Sequence, residues 1–268
     1  MKVSLNSKKF YDTHANFSLR SLLEYEISPG IKCKFDLILD NLDKNQSYNI
    51  GLDLGCSGNS FLYFLTVKNN IYLDISEIPL SQYTSKEIRS IKCEDQHKGD
   101  NPICGDISLL PYANEKFDFV CSLDTLEHVK KDYLAISEIS RILKENGICI
   151  ITVPHRKDYY TVQDQIIGHY RRYEIGSLIK CFRKNHLICI RCFNVYGKLM
   201  KFAFLQTLDP MKTEKQLISL RQKYQSNPFF KYLWKVIVKF ISKLMKLDAK
   251  YHKLRKGMNI GFIFIKEI

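Results

Sequence analysis

LDLGCSGNS, Leu52 to Ser60, is the stretch whose reading decides the fold. An apolar run ends in a glycine turn, and a helical pattern follows. Glycine there lets the backbone come close to a ligand at a helix N-terminus. One such turn is a weak signal, because any tight strand-to-helix connection can look the same. Its neighbours strengthen it. The next apolar run, IYLDI, carries Asp74 at its end, about 20 residues further on, where an acid can accept hydrogen bonds from two ribose hydroxyls. A third run, PICGD, ends at Asp106. A fourth, FDFVCSL, covers 117–123.

Working outward, short apolar runs alternate with helical patterns. Strands are expected at 50–55, 71–75, 102–106, 117–123, 147–154, 187–196 and 259–266. Helices are expected at 78–90, 131–143 and 175–183, with a helical cap before residue 48 (17–26 and 34–41). This alternation predicts an α/β fold with a doubly wound, mostly parallel sheet of seven strands. The early strands are continuously apolar, as strands covered on both faces are. Asp53, Asp74 and Asp106 then stand near the carboxyl ends of neighbouring strands, where open α/β sheets bind ligands.

Four pieces together, LDLGCSGNS, YLDIS, GDISLLPYANEKFDFVCSLDTLEHV and LKENGICIITVP, make the chain resemble the class I S-adenosylmethionine-dependent methyltransferases of the type 11 family. They span about residues 50–155 in the family's order. The resemblance implies S-adenosylmethionine (SAM) as cofactor. It implies that the backbone of Gly55, Cys56, Ser57 and Gly58 cradles the methionine part. Asp53 would lie near the cofactor's amino group, and Asp74 with Ile75 at the ribose. Asp106 and Ile107 would hold the adenine, and Leu123 would line the sulfonium pocket. Where the family has further glycines, Ser57 and Asn59 stand here; both are small, and Asn tolerates left-handed backbone. The resemblance also makes NIGFIFIK an antiparallel edge strand beside the sixth.

Methyl transfer to a hydroxyl needs a base, most often histidine. His128, His155 and His169 are the candidates, each following an expected strand end or opening the GHYRRY segment. Arg171 and Arg172 of that segment suit an acceptor phosphate or carboxylate. No metal ligand set is assigned. Asp124, Glu127 and His128 only resemble the cation site of some quinone methyltransferases. His186, Cys189 and Cys192 have metal-like spacing, but strand alternation would turn the two cysteines to opposite faces.

The net charge is +13, and it is concentrated. Residues 198–256 hold fifteen Lys and Arg against Asp209, Glu214 and Asp248. The expected layout is one domain: a cap at 1–48, a core at 49–197 plus 257–268, and a helical insertion at 198–256. Within the insertion, KYLWKVIVKFISKLMK repeats lysine on one helical sector, with apolar residues filling most of the rest. Charges break every window long enough to span a bilayer. Two readings stand: the helix packs on protein, or it lies on an anionic membrane surface through 228–256. The nine cysteines, scattered and odd in number, read as reduced thiols. The N-terminus has no apolar core of a signal peptide. The sequence thus points to a cytoplasmic, peripherally membrane-bound enzyme that O-methylates a lipid-linked or membrane-associated small molecule or saccharide. An RNA or soluble small-molecule methyltransferase, or a SAM-binding module without catalysis, is the alternative. Nucleic acid is disfavoured, because aliphatics line the basic segment and SLDTLEH is unlike the NPPY type of base methylation.

Overall fold

The structure, a computed structural model, describes Asp12 and residues 20–43, 45–83, 99–200 and 210–267. Five strands run parallel: β1 (Ser47–Leu54), β2 (Thr66–Asp74), β3 (Gly99–Cys104), β4 (Phe117–Leu123) and β5 (Leu143–Pro154). With β6 (Leu187–Tyr196) and β7 (Asn259–Lys266) they form one seven-stranded sheet, ordered β3-β2-β1-β4-β5-β7-β6. β7 is antiparallel to both β5 and β6. It is therefore an interior strand, not the edge strand expected; β6 takes the edge.

Both faces of the sheet are buried. Along β4, Phe119 and Cys121 enter one apolar cluster and Val120 the other. Each such side chain, fully withdrawn from water, contributes about 1.5–3 kcal/mol. The Val120 face is covered by α4 (Asp132–Ile142) and α6 (Ile175–Arg183), through Ala135, Ile136, Ile139, Leu178 and Phe182. The other face is covered by α2 (Pro29–Asn41), through Phe35 and Ile38. Ser28 caps α2 by accepting from Ile31 N, and Pro29 suits the first turn. The short α1 (Leu23–Ile27) precedes it. The part of the expected 17–26 helix before Arg20 lies outside the described residues.

The helix expected after the glycine turn is replaced by a single 3₁₀ turn, Phe61–Phe64. β2 starts at Thr66, so the link is too short for a crossover helix, which usually takes a dozen residues or more. α2 fills the vacant place: Phe35 packs edge-on against Phe61, ring centroids 5.3 Å apart. The helix expected at 78–90 begins as α3 (Glu77–Leu80) and a 3₁₀ turn, and its remainder from residue 84 lies outside the described residues. β3 ends before Asp106, which stands in the following loop.

The insertion forms α7 (Pro210–Ser226) and α8 (Pro228–Tyr251). α8 packs along α2 and β6. Asn227 caps it by accepting from Phe230 N. Trp234 donates to the Ile27 carbonyl at 3.0 Å, and Arg221 of α7 pairs with Glu24 at 2.6 Å. These bonds lock the insertion to the cap. Among the described residues no helix is long and apolar enough to cross a membrane.

The cysteine decoy has a different geometry from the one expected. A register shift between Cys189 and Arg191 breaks the alternation of β6. Cys189 then pairs with Phe264 and Cys192 with Phe262, so both thiols meet the same apolar cluster. Burial pushes the Cys192 thiol up to about 12, which suits packing.

Candidate active site

The carboxyl ends of β1, β2 and β4 open on a cavity of about 960 Å³. That is near the upper end for small-molecule sites, with room for a cofactor and an acceptor. Gly55, Ser57, Asp74, Ile75, Asp106, Ile107 and Leu123 line it. Asp53, Cys56 and Gly58 are absent from the lining. Asp53 is buried inside β1, where its Oδ2 accepts from Ser60 Oγ at 2.6 Å and Phe61 N at 3.2 Å. Burial pushes its carboxyl up to about 6 despite those bonds. Asp53 thus fixes the turn after β1 from behind. Gly58 backs onto the cap: a Cβ there would collide with the Arg20 carbonyl.

The turn itself needs its glycine. Gly55 has φ +73, and a Cβ would collide with the Thr125 side chain. Ser57, where the family carries another glycine, adopts φ 49 and so holds a left-handed conformation with a side chain. Its N–H donates to Asp74 Oδ2 at 2.9 Å, and Ser76 N–H donates to Oδ1 at 3.0 Å. The turn and the acid at the tip of β2 are therefore one hydrogen-bonded unit. Burial raises the Asp74 carboxyl, and those two N–H groups work against it. Across the opening, Asp106 Oδ1 accepts from Ser108 N at 2.8 Å. A glycine that excludes any side chain, an acid at the second strand tip and apolar walls at Ile75, Ile107 and Leu123 fit a nucleoside cofactor.

The opposite wall carries the titratable groups. His155 does not belong to it: its Nδ1 lies 2.8 Å from the Tyr173 carbonyl, and the residue is buried in a bridge to Tyr173. His128 and His169 do meet there, ring centroids 4.5 Å apart. Burial, and His169 beside it, lower His128 to about 3, so it stays neutral. His169 Nδ1 lies 2.7 Å from Asp164 Oδ1. Asp164 opens α5 (Val162–Ile166), accepting from Thr161 N at 2.7 Å, and is 1% exposed. Hydrogen bonds from His169 and Arg172 hold its carboxyl well below the usual range despite burial. An ionised Asp164 can only accept, so His169 Nδ1 carries a proton and the ring turns its Nε2 away from Asp164. Nε2 lies 3.8 Å from Glu127 Oε1. Glu127 is 1% exposed, and among the described residues its Oε2 has no hydrogen-bond partner. Burial, reinforced by Asp124, raises its carboxyl well above the usual range, which favours the protonated form.

The arginines are not the anion clamp expected of them. Arg172 is buried and bonds Asp164 through Nε and Nη2. Arg171 pairs with Asp132 at 2.6 Å and donates to the Lys130 carbonyl. Asp124 is likewise committed: Lys34 Nζ sits 2.8 Å from its Oδ2, and Thr152 and Asn259 donate to Oδ1. It therefore does not join Glu127 and His128. Instead Glu127, His128 and His169 bring their ligand atoms within 4.8 Å of one another.

Lys34 and Asp164 are functional-site residues that the sequence reading passed over, and Glu127 was named there only beside a resemblance to a cation site. Asp164 had a local signal, the Thr161-x-x-Asp164 spacing of a capping box. Lys34 had none, being brought in by packing of the cap.

A family model described as a methyltransferase domain matches residues 52–151. Residues 52–151 thus carry a methyltransferase domain. A Methanocaldococcus jannaschii protein described as uncharacterized protein MJ0638 is 29% identical over 164 residues. That match covers 61% of this chain and 65% of the relative, so the chain spans under two thirds of it. Among solved structures, phosphoethanolamine N-methyltransferase 2 of Haemonchus contortus, in complex with S-adenosyl-L-methionine, aligns over 98% of this chain and 60% of its own. Its TM-score is 0.60 at 19% identity. A possible histamine N-methyltransferase from Thermotoga maritima aligns over 97% and 100%, with TM-score 0.61 at 15% identity. At these identities the structural likeness speaks for the methyltransferase fold. A methyltransferase domain of this family takes SAM as its cofactor.

Proposed function

We propose that the enzyme methylates an oxygen of an amphipathic acceptor, with His169 as the general base. The observation that carries this reading is the 2.7 Å contact of His169 Nδ1 with the buried carboxylate of Asp164, on the wall of the cavity. Bound SAM would supply an electrophilic methyl group on a sulfonium. Gly55, Asp74, Ile107 and Leu123 would hold and orient it. His169 Nε2 would take the acceptor's hydroxyl proton as the oxygen attacks. Asp164 keeps the ring in the tautomer that can do so and stabilises the imidazolium that results, as an acid behind a histidine does in hydrolases. Protonated Glu127 offers its free Oε2 to orient the hydroxyl. His128, neutral and buried, packs the ring of His169.

The rest of the cavity supports an acceptor with a long apolar body, of the kind carried in or on a membrane. From the catalytic wall the lining continues over Ile27, Ile31, Leu217, Leu220 and Trp234, on the cap and the insertion. A sugar or ring hydroxyl at His169 with an aliphatic chain along this arm suits that shape.

The test is turnover with isotopically labelled SAM against fractionated lipid and soluble extracts. Asp164→Asn and His169→Gln are expected to reduce kcat by about 10²–10⁴ with SAM affinity retained. Labelled product from either variant at the wild-type rate would remove His169 as base. Label in a nitrogen-bound methyl would sink the oxygen assignment.

A further inference from the structure

The sequence left α8 with two readings, and the structure divides the helix between them. One side is packed: Val238, Ser242, Met245 and Ala249 are buried, and Trp234 reaches into the cap. The opposite side is open. Phe229, Tyr232, Val236, Phe240, Leu244 and Leu247 recur at three- and four-residue steps there, and Phe240 is 63% exposed. At 1.5 Å per residue this stripe is about 30 Å long. Between the open and the packed side runs a third strip: Lys231, Lys235, Lys239, Lys243, Lys246 and Lys250. Internal packing therefore accounts for only half of the apolar surface of α8. An open apolar stripe of this size asks for a partner.

We infer that the open side of α8 is a docking surface for an anionic membrane. The charge distribution of α8 selects that occupant. α8 holds six lysines and one acid, Asp248, which accepts from Leu199 N at 2.7 Å. Lys235, Lys246 and Lys250 pair with Glu26 or Asp40 on the packed flank. Lys239 and Lys243 have no acidic partner among the described residues. A second copy meeting this stripe would bring lysines near lysines with no carboxylate of α8 between them. Headgroups supply the missing negative charge, and the boundary of the acyl chains accepts Phe240 and Leu244. The helix lies in the interface plane; it does not cross the bilayer. Trp234, on the same helix, lines the cavity, so docking would set the apolar arm of the site beside its acceptor's own phase.

The experiment is flotation of the full chain with vesicles of phosphatidylcholine alone and with added phosphatidylglycerol. Binding is expected to the anionic vesicles only and to weaken with salt. Lys239→Glu with Lys243→Glu is expected to weaken it at least tenfold, since each lysine is worth about fivefold near such a surface. Phe240→Ser with Leu244→Ser is expected to abolish retention at moderate salt. All these side chains are exposed, and unchanged SAM affinity in each variant checks the fold. No flotation of the wild-type chain at low salt overturns the inference. So does flotation of the serine variant like the wild type, which reduces the attraction to charge alone. So does a dimer that Phe240→Glu splits, which makes the stripe a subunit face. None of these readouts involves methyl transfer, so the acceptor reading and the docking surface fail separately.

Discussion

Lys34→Met removes one partner of the ion pair that ties the cap to the end of β4. Lys34 is 7% exposed, and Asp124, with 31% of its side chain exposed, sits at φ 55. Methionine keeps the length and the apolar stem but leaves the Asp124 carboxylate facing the cap without a countercharge. Breaking a fully buried pair costs about 3–5 kcal/mol, and exposed pairs are worth at most about 1. Asp124 keeps its bonds from Thr152 and Asn259 and part of its access to water, which puts the expected loss at about 2 kcal/mol. In a chain of this size that is a fall in Tm of roughly 4–8 °C. The pH dependence has a defined sign. Against burial, which raises it, the ammonium of Lys34 holds the Asp124 carboxyl at about 2, below its ordinary 3.8. A depressed carboxyl contributes stability that is present above 3.8 and is lost as pH falls through about 2. The gap between wild type and variant, read as urea midpoints by circular dichroism, should therefore be full at pH 7 and shrink between about pH 4 and pH 2. A variant within 1 °C of wild type at pH 7 would refute the reasoning, as would a gap independent of pH. Asp124→Asn added to Lys34→Met should restore part of the loss, because the uncompensated charge is gone.

Other substitutions read other parts of the site. Ser57→Gly should raise Tm by roughly 1–3 °C, since relief of the left-handed strain exceeds the entropy that glycine adds to the unfolded chain. Gly55→Val puts a branched side chain where Thr125 already stands and should abolish SAM binding by calorimetry. Asp74→Ala should weaken SAM by about 10–100-fold and lower stability by about 1–3 kcal/mol, because the N–H of the buried Ser76 loses its acceptor. His155→Phe should lower stability by about 1–2 kcal/mol through the lost bond to Tyr173, with kcat changed less than threefold in the folded fraction. A hundredfold loss there would return His155 to the chemistry.

The strand tips were legible because strands buried on both faces leave continuous apolar runs, and each run stopped at glycine or an acid. That is how Gly55 and Asp74 could be placed from their neighbours alone. What lay between the strands was less legible. The turn after Ser60 looks helical in pattern, yet the eleven residues from Gly55 to Leu65 cannot house a crossover helix, and a cap helix from elsewhere in the chain takes its place. Nothing local announces such a substitution. The arginines of GHYRRY advertise anion binding by type, but whether a guanidinium is free depends on Asp164 and Asp132, both distant in pattern. The cysteines of β6 misled for a similar reason, since a bulge is invisible to a rule of strict alternation. For α8 the lysine spacing was readable, whereas the division of its apolar surface into a packed and an open side required the cap and β6 to be in place.

The interior position of β7 has a consequence for how the chain is made. β5 and β6 have no partner in common until β7 has been synthesised, and β7 follows α7 and α8. The half-built sheet therefore presents the bare edge of β5 to the cell while the insertion emerges from the ribosome. In that interval α8 already displays its aromatic and lysine residues. If α8 docks on an anionic membrane as inferred above, a nascent chain settled there would have that edge shielded from other nascent chains, and the order of synthesis would favour assembly on the lipid surface.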